Sequence, residues 1–308
     1  MEIALLDGGL GQEINSRSSA DTSHPAWSVK VMHDEPEIVV DVHKAFMLAG
    51  AKILTLNNYA ATATRLKRDG LYELFEQTHQ QAIDLMMQAV EQSGLDRNSI
   101  NIAGCLPPIG GSYDASFAPG YSDCYEEYNR LIALQKDGVD LFLIETMSNI
   151  AESCAAIDAL VGAGEPVYIG LTLSDTDLRA EREPALRSGE RLVDALEQFS
   201  SRAVEAVMIN CCYPETVAHA IPVLQQAGLR WGAYANGFTA IDALTPGSTV
   251  DNLQAREDLE PEIYASHVFD WIDAGATIVG GCCEIGPHHI EVLHQMLTNK
   301  DYVPVKLR

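Results

Sequence analysis

Leu141-Phe142-Leu143-Ile144 and Ala206-Val207-Met208-Ile209 are the stretches on which the fold turns. Neither alternates apolar and polar residues, as a strand with one face in water would. Four apolar residues in succession imply that both faces are covered, and such strands belong to parallel sheets flanked by helices. Working outward, six further β-rich runs appear. The candidates cover residues 3–8, 52–58, 100–105, 140–146, 167–173, 206–211, 231–235 and 277–281, and each is followed by helical spacing. In the first clear helix Asp34 is the expected cap, Pro36 fits the first turn and Glu37 stands three after the cap. Ile38, Val42, Phe46 and Ala49 share its face, and Gly50 ends it. Near the other terminus Pro287 opens a helix with Ile290, Leu293 and Leu297 in its stripe. Eight βα units in 308 residues predict an α/β fold, a (β/α)8 TIM barrel, with a doubly wound sheet as the alternative. No linker-like stretch divides the chain, so one domain spanning 1–308 is expected.

Barrels of this kind keep their active sites at the C-terminal ends of the strands. The long connections 10–34, 106–122 and 238–257 all follow strands, so they belong to that face. Within them Pro107-Pro108-Ile109-Gly110-Gly111-Ser112-Tyr113 is a candidate substrate cover, with an ordinary surface loop as the alternative.

Charge narrows the choice of partner. Lys plus Arg number 20 and Asp plus Glu 44, a formal charge of −24. Such a polyanion is repelled by phosphate backbones and anionic lipid, so neither nucleic acid nor a membrane is expected as a partner. No basic leader opens the chain and no run of 18 apolar residues occurs, so neither a signal peptide nor a membrane span is expected. Seven cysteines, an odd number, point to free thiols in a reducing compartment, here the cytoplasm.

Four of those cysteines form two adjacent pairs. Cys211 and Cys212 end the sixth candidate strand, and Cys282 and Cys283 end the eighth. A parallel barrel brings both strand ends to one mouth. Three thiolates would there supply the ligands of a catalytic zinc with one position left open. From placement alone, buried structural cysteines and a redox-active dithiol stay open beside the metal. Asp7, before Gly8-Gly9, and Glu145 end strands one and four and are candidates to receive a substrate ammonium group. For Asp7 a turn or capping role is equally compatible. Gly8-Gly9-Leu10-Gly11 is no dinucleotide fingerprint, because Ile14 holds the place of the last glycine. His288 and His289 are weaker candidate ligands, and Asn57, Asn58 and Asn236 weaker candidate substrate contacts.

Taken together these motifs resemble the homocysteine S-methyltransferases. The resemblance rests on Leu6-Asp7-Gly8-Gly9-Leu10-Gly11, Trp27-Ser28, Ala49-Gly50-Ala51, Thr55, Tyr59 and Glu145-Thr146. It rests above all on Ile209-Asn210-Cys211-Cys212 with Gly280-Gly281-Cys282-Cys283. It implies a TIM barrel with catalytic Zn2+ on Cys211, Cys282 and Cys283, Cys212 standing aside. It further implies that Asp7, Gly8, Glu145 and Asn210 contact substrate. The implied reaction moves a methyl group from a sulfonium donor, S-methylmethionine or S-adenosylmethionine, to the thiol of homocysteine, giving methionine. Gln12-Glu13 and Asn236-Gly237 depart from the usual family pattern, and Thr146, where betaine enzymes carry an aromatic residue, weighs against betaine. The rival expectations are a zinc-binding barrel that acts on another thiol or has lost activity, and a dithiol redox protein.

Overall fold

The computed structural model describes residues 1–20, 24–180, 182–241 and 253–307. All eight expected strands are present: β1 Glu2–Leu5, β2 Ile53–Thr55, β3 Asn101–Leu106, β4 Leu141–Met147, β5 Val167–Leu171, β6 Val204–Asn210, β7 Trp231–Tyr234 and β8 Ile278–Val279. A ninth, β9 Val303–Val305, was not anticipated, since Val303-Pro304-Val305 is short and carries a proline. Pairing is parallel throughout, in the order β2-β3-β4-β5-β6-β7-β8-β1-β9.

The sheet curls until its ends approach. Leu6 bridges Ile53 in parallel sense, Lys52 N donates to Leu5 O at 2.8 Å and Asp7 N to Ile53 O at 3.0 Å. Below that seam β9 runs along the same β1, pairing Glu2 with Val303 and Ala4 with Val305. Apolar contacts divide by strand parity. Leu141, Leu143, Ala206, Met208 and Tyr234 join an inner cluster with Ala4, Leu6 and Ile278. Phe142, Ile144, Val207 and Ile209 face the helix layer. This two-sided burial is what the unbroken apolar runs require.

Local details differ from expectation in two places. Asp34 does not cap the helix Pro36–Leu48; Glu35 is its N-cap residue, without a side-chain bond. Asp34 instead ends the preceding helix, Ser28–Asp34, and pairs with Lys30 one turn back. The first long connection is not irregular either, because it holds the helices Leu10–Arg17 and Ser28–Asp34. Residues 21–23 and 242–252 of the connections 10–34 and 238–257 lie outside the described residues. The helix Pro287–Asn299 buries Ile290, Leu293 and Leu297 as its spacing requires. Among the described residues no helix is long and apolar enough to cross a membrane.

Candidate metal and substrate site

A cavity opens where the strands end. Its wall includes Asp7, Gly8, Glu145, Cys211, Cys282 and Cys283. Six expected site residues from four strand ends therefore face one space.

The three cysteine sulfurs lie within 4.8 Å of one another, and Cys211 Sγ stands 2.6 Å from Cys282 Sγ. Strand parity alone would not place Cys211 there. Met208 and Asn210 share a parity, so Cys211 should turn outward. Its backbone is left-handed, with φ 54°, and this re-aims the thiol into the cavity. Thr146, after Glu145, is left-handed too, with φ 60°, an uncommon conformation for a β-branched residue. The two turns are latched together. Thr146 N donates to Asn210 Oδ1 at 3.1 Å, and Asn210 Nδ2 donates to Thr146 Oγ1 at 2.9 Å. Asn210 is thus fully buried behind the cavity wall, its amide spent on Thr146. Both amide atoms of Asn210 bond to Thr146, and Asn210 is not among the residues that line the cavity, where it was expected to contact substrate.

Cys212 is buried in the helix-facing core, away from the other three sulfurs. His288 is exposed and faces Glu291, and His289 meets Leu259 O at 3.0 Å, so neither belongs to the cluster. Asn58 meets His79 and Asn236 accepts from Phe238 N, whereas Asn57 donates to Ser28 O and also lines the cavity.

The loop that carries Cys282 and Cys283 is pinned by its neighbours. Gly281 N donates to Asp7 O, Cys282 N to Ala235 O, Gly9 N to Ile285 O, and Gly237 N to Cys283 O. The approach is so close that a Cβ on Gly8 would stand 2.0 Å from Ile285 O, and one on Gly9 2.6 Å from Cys282 O. Gly8 therefore shapes the wall because a side chain there would displace the cysteine loop.

Electrostatics divide the thiols. Hydrogen bonds from Cys282, Cys283 and Tyr113 hold Cys211 well below the usual thiol range. The Tyr113 hydroxyl is 3.0 Å from Cys211 Sγ. Proximity to Cys211 and burial push Cys282 and Cys283 well above that range. Three buried thiolates cannot coexist without a cation, and a divalent ion removes that conflict. Zinc–thiolate bonds of about 2.3 Å set sulfur–sulfur edges near 3.8 Å in a tetrahedron, which suits sulfurs within 4.8 Å of one another. The donor set fits a thiophilic metal.

The same cavity is lined by two carboxylates, Asp7 buried and Glu145 half-buried. Thr55 N donates to Asp7 Oδ2 at 2.9 Å, so Asp7 is tied to β2, while Gly9 caps the following helix. Cys105 Sγ donates to Glu145 Oε2 at 3.1 Å and Tyr234 Oη to Oε1 at 3.3 Å. Burial pushes Asp7 up to about 8, with the Glu145 charge adding to the rise, and pushes Glu145 up to about 7. What lowers them is hydrogen bonding, from Thr55 on Asp7 and from Cys105 and Tyr234 on Glu145. A cationic ligand would supply the charge that both lack.

Among the wall residues that escaped the sequence are Tyr234 and Arg65. Tyr234 has no motif around it. Arg65 follows twelve uncharged residues, 53–64, and that isolation of a cation after a strand end was the available signal.

A family model described as homocysteine S-methyltransferase matches residues 4–297. Homocysteine S-methyltransferase 1 of Arabidopsis thaliana is 28% identical, over 96% of this chain and 94% of its own. A selenocysteine methyltransferase of Astragalus bisulcatus is 27% identical, over 96% of this chain and 93% of its own. Among solved structures, the metallated form of the homocysteine methyltransferase MmuM from Escherichia coli superimposes with a TM-score of 0.76 at 24% identity, each chain covered to 96%.

Proposed function

The chain belongs to the homocysteine S-methyltransferase family and is a methyltransferase, and from that premise we propose a zinc-dependent transfer from a sulfonium donor, S-methylmethionine or S-adenosylmethionine, to the thiol of homocysteine, giving methionine. We read the curled sheet, with its Leu6–Ile53 seam, as a closed (β/α)8 TIM barrel whose mouth is the site. The observation that carries the functional reading is one cavity lined by two complementary sets of groups. Three convergent thiols form one set, and two carboxylates with no salt bridge among the described residues form the other.

Homocysteine has a thiol and an ammonium group at opposite ends. Asp7 and Glu145 receive the ammonium through charge-assisted hydrogen bonds, and this aims the sulfur at the cysteine wall. Cys211, Cys282 and Cys283 would hold Zn2+, which when bound keeps a substrate sulfur deprotonated at neutral pH. The latch between Asn210 and Thr146 keeps Cys211 turned inward. In the transfer the acceptor thiolate forms a new S–CH3 bond as the donor's S–CH3 bond breaks. The bonding pair stays on the donor sulfur, which leaves as a neutral thioether. A cationic donor and an anionic acceptor thus lose their charges together, a change that a cavity sheltered from water favours. A dithiol redox protein would have no use for Asp7 and Glu145.

The test is reduced, zinc-loaded protein with homocysteine and a panel of sulfonium and betaine donors, scored for methionine. Methionine from sulfonium donors and about one zinc per chain are expected. Reduced protein that takes up no zinc, or that makes no methionine from any donor, overturns the reading. Selenocysteine and other thiols belong on the acceptor side of the panel, because a relative methylates selenocysteine.

A further inference from the structure

The cavity holds a third charged feature that the sulfur and ammonium contacts leave unused. Arg65 lies in the short helix Ala63–Arg68, after the β2 loop, and lines the cavity while only 8% exposed. Its Nη2 donates to Pro108 O at 2.8 Å and to Ser112 Oγ at 3.1 Å, and its buried Nε has no partner. Among the described residues no carboxylate lies within 4.0 Å of it, whereas the cavity's other arginine, Arg68, is paired with Asp69. The acid that faces it at longer range, Glu152, is taken up by Ile109 N, Tyr128 and Asn149. A buried guanidinium without a carboxylate costs free energy unless an anion completes it, and its planar fork suits a carboxylate.

The geometry points to Arg65 as the residue that binds the carboxylate of the methyl donor, and so selects donors built on an amino acid. This rests on the methyl-transfer reading above. The acceptor's carboxylate is attached to the same carbon as its ammonium group, so it must lie beside Asp7 and Glu145. Those two acids are hydrogen-bonded by Thr55, Cys105 and Tyr234, whereas the hydrogen bonds of Arg65 go to Pro108 O and Ser112 Oγ, and only its charge reaches Cys105. Arg65 sits instead on the candidate cover, with the Tyr59 ring 5.1 Å from its guanidinium and Tyr59 Oη donating to Ser112 Oγ at 2.8 Å. The next residue, Tyr113, reaches Cys211 Sγ. One tyrosine side chain thus spans from the guanidinium's neighbour to the cysteine cluster. A methylmethionine-type donor likewise carries its sulfonium and its carboxylate at opposite ends of a short carbon chain. Its methyl group then faces the acceptor sulfur while its carboxylate meets Arg65.

Binding, not turnover, tests this. Calorimetric Kd values would be measured for S-methylmethionine and its methyl ester on wild type, R65Q and R65K, with homocysteine as control and thermal melts to verify folding. Wild type should prefer the acid over the ester by about tenfold or more. R65Q should lose that preference, R65K should regain part of it, and homocysteine binding should change by less than about threefold. An equal affinity of wild type for acid and ester, a preference that survives in R65Q, or a loss that falls on homocysteine instead would overturn the assignment. Because the wild-type comparison stands by itself, a variant that fails to fold does not remove the test. Methionine formation is scored separately. Its absence with every sulfonium donor would sink the reaction proposed above, and the acid–ester comparison would still judge Arg65.

Discussion

Along β4, Leu141, Leu143 and Glu145 share the face turned to the interior of the sheet, so the period of the strand delivers the carboxylate to the cavity. Glu145 therefore stands where water is scarce, and Tyr234 and Cys105 donate hydrogen bonds to its carboxyl group. If it receives the acceptor's ammonium, Glu145→Gln should raise the homocysteine KM by roughly 10- to 100-fold, at roughly 1.5–3 kcal/mol for a charge-assisted bond. Zinc content should not move. Loss should be smaller with 3-mercaptopropionate, which lacks the amino group, and equal loss on both thiols would assign Glu145 to support of the fold. A second expectation concerns pH. The folded protein holds Glu145 up to about 7, against an ordinary value of 4.5, so it keeps a proton that the unfolded chain releases. The contribution of this group to stability therefore falls as pH rises from 4.5 to about 7 and stays low above it. In denaturant titrations of zinc-free protein, wild type should lose ground to Glu145→Gln across that window. A gap independent of pH would mean that the carboxylate is already ionised when folded.

At the scale of the element, the decisive feature is how β4 and β6 end. β4 has a left-handed residue, Thr146, just before its last, and another, Cys211, follows β6 directly; the Asn210 amide binds the first of these turns from the strand that leads into the second. Cys211→Ala, Cys282→Ala and Cys283→Ala should each greatly weaken zinc binding and abolish methyl transfer. Cys212→Ala should keep the metal and cost only core packing, because its side chain lies among the helices. Zinc retained by Cys211→Ala but lost by Cys212→Ala would show the turn to be drawn in the wrong register. Asn210→Ala removes the acceptor of a buried N–H, which costs about 1–3 kcal/mol. It should lower the denaturation midpoint and weaken zinc binding together, although Asn210 is not one of the three clustered residues.

Across the whole molecule, the cluster joins the ends of β6 and β8, two strands that already flank β7 in the sheet. The metal thus adds to a framework whose core does not depend on it, unlike a zinc finger. Free zinc at about a thousand times its Kd should stabilise the fold by about 4 kcal/mol. In a chain of this length that is a rise in Tm of about 6 °C. Chelation should reverse the rise and leave a folded protein, and Cys211→Ala should show no rise. Unfolding on chelation at room temperature would place the metal in the core of the architecture.

Sequence by itself determined the layers and the inventory. Unbroken apolar runs at 141–144 and 206–209 required a sheet covered on both faces, and the alternation of strands and helices made it parallel. The paired cysteines, Asp7 and Glu145 were legible because residues at strand ends converge in such a sheet whatever the details of packing. Tertiary structure alone decided the rest. Which cysteine of the 211–212 pair faces inward depends on one backbone angle, held by an amide that pairs across 64 residues. The seam between β1 and β2, with β9 beneath it, depends on strand ends that meet only when the sheet curls. Arg65 stood out in the sequence only as an isolated cation after a strand end, and folding made it part of the site by putting its charge in the cavity with no carboxylate within 4.0 Å among the described residues.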